Sequence, residues 1–236
     1  MRCVVALAFL SAVGLALAAP IPKEVAKLKP ATDKERDEVK ENLKRLMLGM
    51  HNYDDAVGVF PADVIDPKTK KPLLSWRVKL LPYMEEDELY KQFNLQEPWD
   101  RKTNKPLIEK MPKMYTPTRV KAKPGETFYR GFAGTGEFAG LFEQAKGIGI
   151  PGVTDGTSNT IGVIDAGEPV IWTKPGTDLP CDPKKPLPKL GGMIDGDFYC
   201  AMCDGSVRTI KRDTKTDVLR ALISRAGGEV IPDDTP

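Results

Sequence analysis

"TDKERDEVKENLKRLMLGMHNYDDAVGVFP", residues 32–61, decides the fold. Thr32 and Glu35 have the spacing of a capping box, in which the hydroxyl takes an N–H of the first turn and the carboxylate reaches back. Val39, Leu43, Leu46, Met50 and Tyr53 then recur at alternating steps of four and three. That period is one apolar stripe of an amphipathic helix, with charges on the other faces. Gly58 and Pro61 stop it.

Upstream, "APIPKEVAKLKPA", residues 19–31, is rich in Pro and Lys and reads as a tether. Before it, "MRCVVALAFLSAVGLALAAP" has one Arg, an uncharged apolar run and then Ala16-Leu17-Ala18. This is the pattern of a secretory signal, residues 1–18, with an A-x-A cleavage site. The alternative is a retained anchor, but the run from Cys3 to Ala19 is Ala-rich and at the bottom of the spanning range. Cys3 lies inside the run, which argues against a lipoprotein cysteine. No later segment is apolar for long enough to span a bilayer. The expectation is a periplasmic or secreted protein with no membrane span after cleavage. The charge balance, 35 basic against 33 acidic residues, gives no electrostatic case for nucleic acid.

Downstream, "DPKTKKP" reads as a hairpin tip and Ser75 as the cap of a short helix carrying Trp76, Val78, Leu80 and Leu81. Pro82 interrupts it. "EEDELYKQF" is a second short helix with acidic residues early, which suits the helix dipole. One helical turn is expected around Leu107–Lys110. From Thr127 the character changes to strands: "TFYRGFAG", "GEFAGLF" and "NTIGVIDA". "VIWTKPGTDLPCDPKKPLPKLGG" reads as a long proline-rich loop. "DFYCAMC" and "DGSVRTI" form a hairpin turned by Asp204-Gly205. "TDVLRALISRAGGEVI" closes the chain as a short helix with Gly227 and Gly228 past its end. Helices first and strands afterwards make an α+β pattern, with residues 32–236 as one domain.

Five blocks in this order carry a resemblance: "LMLGMHNYDDAVGVFPAD", "LSWRVKLLPYMEEDELYKQFNLQEPWD", "VTDGTSNTIGVIDAGEPVIWTKP", "DGSVRTI" and "LRALISRAGGE". They resemble a large bacterial family of unknown function, domain-of-unknown-function family 1559. Its members are described as prepilin-processing-associated, with a His, nine residues and then Asp-Gly, and also as solute-binding. The resemblance implies a pilin- or pseudopilin-like fold, with a long N-terminal helix on a mainly antiparallel sheet, short extra helices and long loops. Two departures matter. The leader here resembles an ordinary secretory signal rather than a prepilin leader. The residue ten before Asp204 is Ile194, not His.

Of the candidate sites, the cysteines come first. Cys181, Cys200 and Cys203 are an odd number in an exported chain, so one disulfide of unspecified pairing is expected. Alternation along a strand sends Cys200 and Cys203 to opposite faces. That geometry and the ligand count weigh against zinc, and a strand is the wrong place for a redox C-x-x-C. Two small buried residues are the competing reading. His51, the sole His, has no nucleophile nearby in sequence and reads as a packing residue.

Asp155, Thr157 and Asn159 alternate as hard oxygen donors, as in a calcium loop, and Asp195 to Asp197 would add ligands if folded alongside. The competing reading is a turn whose Asp and Asn side chains bond their own backbone. The turn is the favoured reading, since its residues are the usual turn formers, and the pseudopilin resemblance keeps calcium as the alternative, since those proteins use a calcium site in their sheet loops. Glu85 to Glu88 read as the solvated first turn of a helix. Trp76 reads as core. Trp99 and Trp172, among prolines and polar residues, read as surface contacts for a ligand or partner. No hydrolase or nucleotide motif is present. The expectation is therefore a non-enzymatic component of the cell envelope that binds other envelope proteins, or else a module that binds an extracellular solute or glycan, with a secreted hydrolase that uses acidic residues as the last alternative.

Overall fold

The structure, a computed structural model, describes residues 28–120, 122–136, 139–143, 146–182 and 184–231. In chain order the helices and strands begin with α1 (Asp33–Val57), β1 (Val64–Ile65), β2 (Pro72–Leu74), α2 (Trp76–Lys79) and α3 (Asp87–Tyr90). They continue with β3 (Glu126–Arg130), β4 (Phe132–Ala133), β5 (Ile161–Ile171), β6 (Leu179–Pro180), β7 (Phe198–Met202), β8 (Val207–Ile210) and α4 (Thr216–Ile223).

Local signals set α1. Thr32 and Glu35 form the capping box, and Gly58 caps the other end at φ 85°, a left-handed conformation that suits glycine. Val39, Leu43, Leu46 and Met50 of the stripe are buried, and Tyr53 packs against the same cluster. The surface they bury is one face of a four-stranded antiparallel sheet, in the order β3-β5-β7-β8. Alternation sorts β7 cleanly. Tyr199 and Ala201 join the α1 cluster, whereas Phe198, Cys200 and Met202 join Leu219, Leu222 and Ile223 of α4 on the other face. The body is thus α1, sheet and α4 in three layers.

The expected hairpin of Asp204-Gly205 is present, with Asp204 Oδ1 accepting from the Ser206 N–H at 2.8 Å. Ser75 caps α2, and β1 and β2 pair across "DPKTKKP". Two readings are corrected. β5 continues through Val170 to Ile171, so the proline-rich stretch starts later than its composition implies. That stretch also holds β6, which pairs in parallel with β4. Around "GEFAGLF" the described residues make only isolated bridges, at Phe142 and Glu143.

The leader, residues 1–18, and the tether up to residue 27 lie outside the described residues. The last tether residues are fastened down. Ala31 N donates to Asp195 Oδ1 at 2.7 Å, and Arg119 donates to the Lys29 carbonyl. Among the described residues, no helix is long and apolar enough to cross a membrane.

Candidate functional site

The chemistry gathers beside the β3 edge of the sheet. Arg77 lies in an apolar run and is fully buried, so its charge must be met inside the protein. Its Nε and Nη2 donate to the Tyr129 carbonyl of β3 at 3.1 and 2.7 Å. Its Nη1 donates to Ser75 Oγ at 2.8 Å, and Nη2 reaches Asp178 Oδ1 at 3.3 Å. The guanidinium also stacks 4.5 Å from the Trp76 ring, whose other neighbour is Phe142, stacked at 4.8 Å. Gly131 makes room for Phe142, since a Cβ there would lie 2.0 Å from the Phe142 ring.

Asp178, just before β6, accepts from the Trp76 indole at 3.0 Å and from Gly131 N at 3.0 Å. Asp63, just before β1, accepts from Trp76 N at 2.9 Å and from Gly176 N at 2.7 Å. Burial, and then the neighbouring Asp178 charge, push the Asp63 carboxyl up to about 6. Between these loops is a cavity of about 470 Å³, lined by Asp63, Trp76, Thr135, Phe142, Glu143 and Asp178 among others. Its size is that of a small-molecule site. A larger, open groove of about 1430 Å³ runs along α1 past Leu48 and Tyr83, with charges of both signs on its walls.

The residues singled out in the sequence are placed elsewhere. Asp155 accepts Gly227 N at 2.8 Å on one oxygen and Gly228 N at 3.0 Å on the other. Asn159 donates to the Asp155 carbonyl at 3.1 Å, and the Thr157 carbonyl accepts Asp204 N at 3.0 Å. The loop therefore clamps the C-terminal segment. Asp195 and Asp197 precede β7 whereas Asp204 follows it, so the two acidic loops lie at opposite ends of the strand and do not come together. Asp195 binds Arg36 and Arg119, and Asp197 binds Lys211. Among the described residues, no three His, Cys, Asp or Glu side chains gather as a metal site.

The surface reading of Trp172 is corrected. It is fully buried, stacked on Tyr115 at 5.7 Å, with its indole N–H on the Ile108 carbonyl at 2.9 Å. β5 carries it into the core ahead of the loop that starts at Lys174 and Pro175. Trp99 is half-buried against the same cluster, with Lys174 Nζ 5.6 Å from its ring. Cys200 and Cys203 are both buried, in different clusters on opposite sides of the sheet. Cys181 is half-buried at the margin of the Cys200 cluster, and no disulfide joins the three among the described residues. His51 meets Phe60 edge-on at 5.6 Å. Asp87 and Glu88 of the acidic run pair with Lys91, one turn on.

Sequence reasoning missed Asp63, Arg77 and Asp178. The available signal was an arginine inside "LLSWRVKLL", which demands a buried acceptor without saying where in the chain it lies.

The family model described as "Protein of unknown function (DUF1559)" matches residues 36–186, which include Asp63, Trp76, Arg77, Glu143 and Asp178. No curated protein and no solved structure matches the chain.

Proposed function

The chain belongs to the DUF1559 family of proteins of unknown function, and we propose that it is an exported, non-catalytic binding protein that holds a small solute in the Asp63 cavity. The carrying observation is the cavity itself: about 470 Å³, partly apolar, with a half-buried carboxylate in its wall. Apolar walls with a few placed polar groups are what small-ligand sites share. The reading favours binding over catalysis because both oxygens of Asp63 and both of Asp178 already accept an N–H. The export half of the reading rests on the leader-like residues 1–18. Trp76 is fully buried, with Arg77 and Phe142 against its ring, so a sugar has no stacking platform there, and a polar solute fits better than a glycan.

The test is a thermal-shift panel of small solutes and glycans on the purified protein. A true ligand at about 100 times its Kd adds about 2.7 kcal/mol, or roughly 5–11 °C in Tm for a chain of this size. A panel in which nothing moves overturns the cavity reading.

A second reading, an envelope assembly component related to pseudopilins, is favoured by the long helix on an antiparallel sheet and by exposed Leu48 in the α1 groove. It predicts co-purification with a specific envelope partner that is lost in Leu48→Glu.

A further inference from the structure

We propose that the solute held by the Asp63 cavity is a cation, carrying a primary ammonium or guanidinium group on a short apolar body. The proposal rests on the cavity reading and adds the chemical class of its ligand.

Charge is unevenly balanced around the wall. Three carboxylates line the cavity: Asp63, Glu143 and Asp178. Two of them are met by guanidinium groups. Asp178 pairs with Arg77 at 3.3 Å, and Glu143 pairs with Arg225 at 2.5 Å. Asp63 has two backbone N–H donors and, among the described residues, no ion-pair partner. Among the described residues, no Lys, Arg or His lines the cavity. Lys79 and Arg130 act on these carboxylates from outside the lining, and burial lowers the pKa of both, Arg130 to about 10, which leaves the Arg130 guanidinium charged at neutral pH. Arg130 is engaged elsewhere, its Nε donating to the Thr177 carbonyl at 2.6 Å.

The result is a negative wall whose compensating charges sit behind it. Each Asp63 oxygen accepts one N–H and keeps a second acceptor site, so a bound ammonium would gain charge-assisted hydrogen bonds. It would also relieve the repulsion from Asp178 that helps lift the Asp63 carboxyl. Ala62, Ala133, Phe142 and Pro180 complete the lining and suit a short methylene chain. An anion would face three carboxylates, and a neutral diol would leave the Asp63 charge uncompensated.

Putrescine and agmatine test this against two analogues of similar length, neutral butanediol and anionic succinate, by thermal shift and calorimetry at pH 7.5. The expected result is a saturable Tm rise with the two cations alone. Asp63→Asn should weaken them by about tenfold or more, the worth of one charged hydrogen bond. Thr135→Lys, at an exposed rim position, puts a competing ammonium at the mouth and should abolish the shift without touching the core. Cation affinity should also fall from pH 7.5 to pH 5, as Asp63 takes a proton. A rise with butanediol or succinate instead overturns the cationic class and leaves the cavity reading standing. No rise with any of the four overturns the cationic class, and the wider panel then decides the cavity reading.

Discussion

Asp63 and Asp178 are held by the two N–H groups of one residue: Trp76 N donates to Asp63 Oδ1 at 2.9 Å, and Trp76 Nε1 to Asp178 Oδ2 at 3.0 Å. A single side chain and its own backbone thus bring together loops from distant parts of the chain. Arg77, the next residue, neutralises one of the two carboxylates and covers the open edge of β3 through the Tyr129 carbonyl.

Removing Arg77 should therefore be costly. Arg77→Met leaves Asp178 without its cation and Tyr129 O without its donors. Breaking one side of a buried pair costs about 3–5 kcal/mol, read as a lower urea midpoint. Adding Asp178→Asn should cost less than the sum of the singles, with a coupling of about 1–3 kcal/mol. Full additivity would mean that the pair does not act as a unit.

Asp165 predicts a pH dependence. Its carboxyl is buried in β5 beside Tyr129, and burial pushes it up to about 7. The folded state then holds the proton more tightly than the unfolded chain does. The stability that Asp165 contributes is fully present below about pH 4 and is lost as pH rises through about 7. Asp165→Asn should match the wild type at pH 4 and exceed it at pH 8 by up to about 4 kcal/mol. Asp63 acts in the same direction over a narrower range, ending near pH 6. Equal stabilities at pH 8 would refute the assignment to Asp165.

At Asp155 the turn and calcium readings part. If the carboxylate serves the Gly227 and Gly228 N–H groups, Asp155→Ala should lower stability by about 1–3 kcal/mol. Neither EDTA nor added calcium should then move the wild-type Tm. A calcium-dependent rise lost in Asp155→Ala would place an ion there instead.

For the cysteines, Cys200 and Cys203 should resist a thiol reagent in native buffer, since both are buried and burial raises both thiols, Cys200 to about 12. Both should label on denaturation without reductant. If either needs reductant first, a disulfide is present.

The helix was legible because its signals are local: a cap three residues wide, a stripe repeating every turn and a glycine stop. The β7–β8 hairpin was legible for the same reason. The cavity was not. Asp63 and Asp178 sit in ordinary loops and Trp76 opens the short α2, and nothing in the spacing says that they meet. Trp172 was misread because Pro175 and Gly176 gave its neighbourhood a loop composition, while the strand before it carried it inward.

The clasp between Ala31 and Asp195 joins residues 164 positions apart, and α1 lies on Tyr199, Ala201 and Cys203. The helix is thus synthesised well before the strands that cover it. Leu81 and Met84 can cover part of its greasy side early, but the part that faces β5 and β7 stays wet until those strands have emerged. Contacts of such long sequence range make folding slow and leave apolar surface open to aggregation meanwhile. Truncations from the C-terminal end into β7 should therefore give insoluble protein rather than a smaller stable domain.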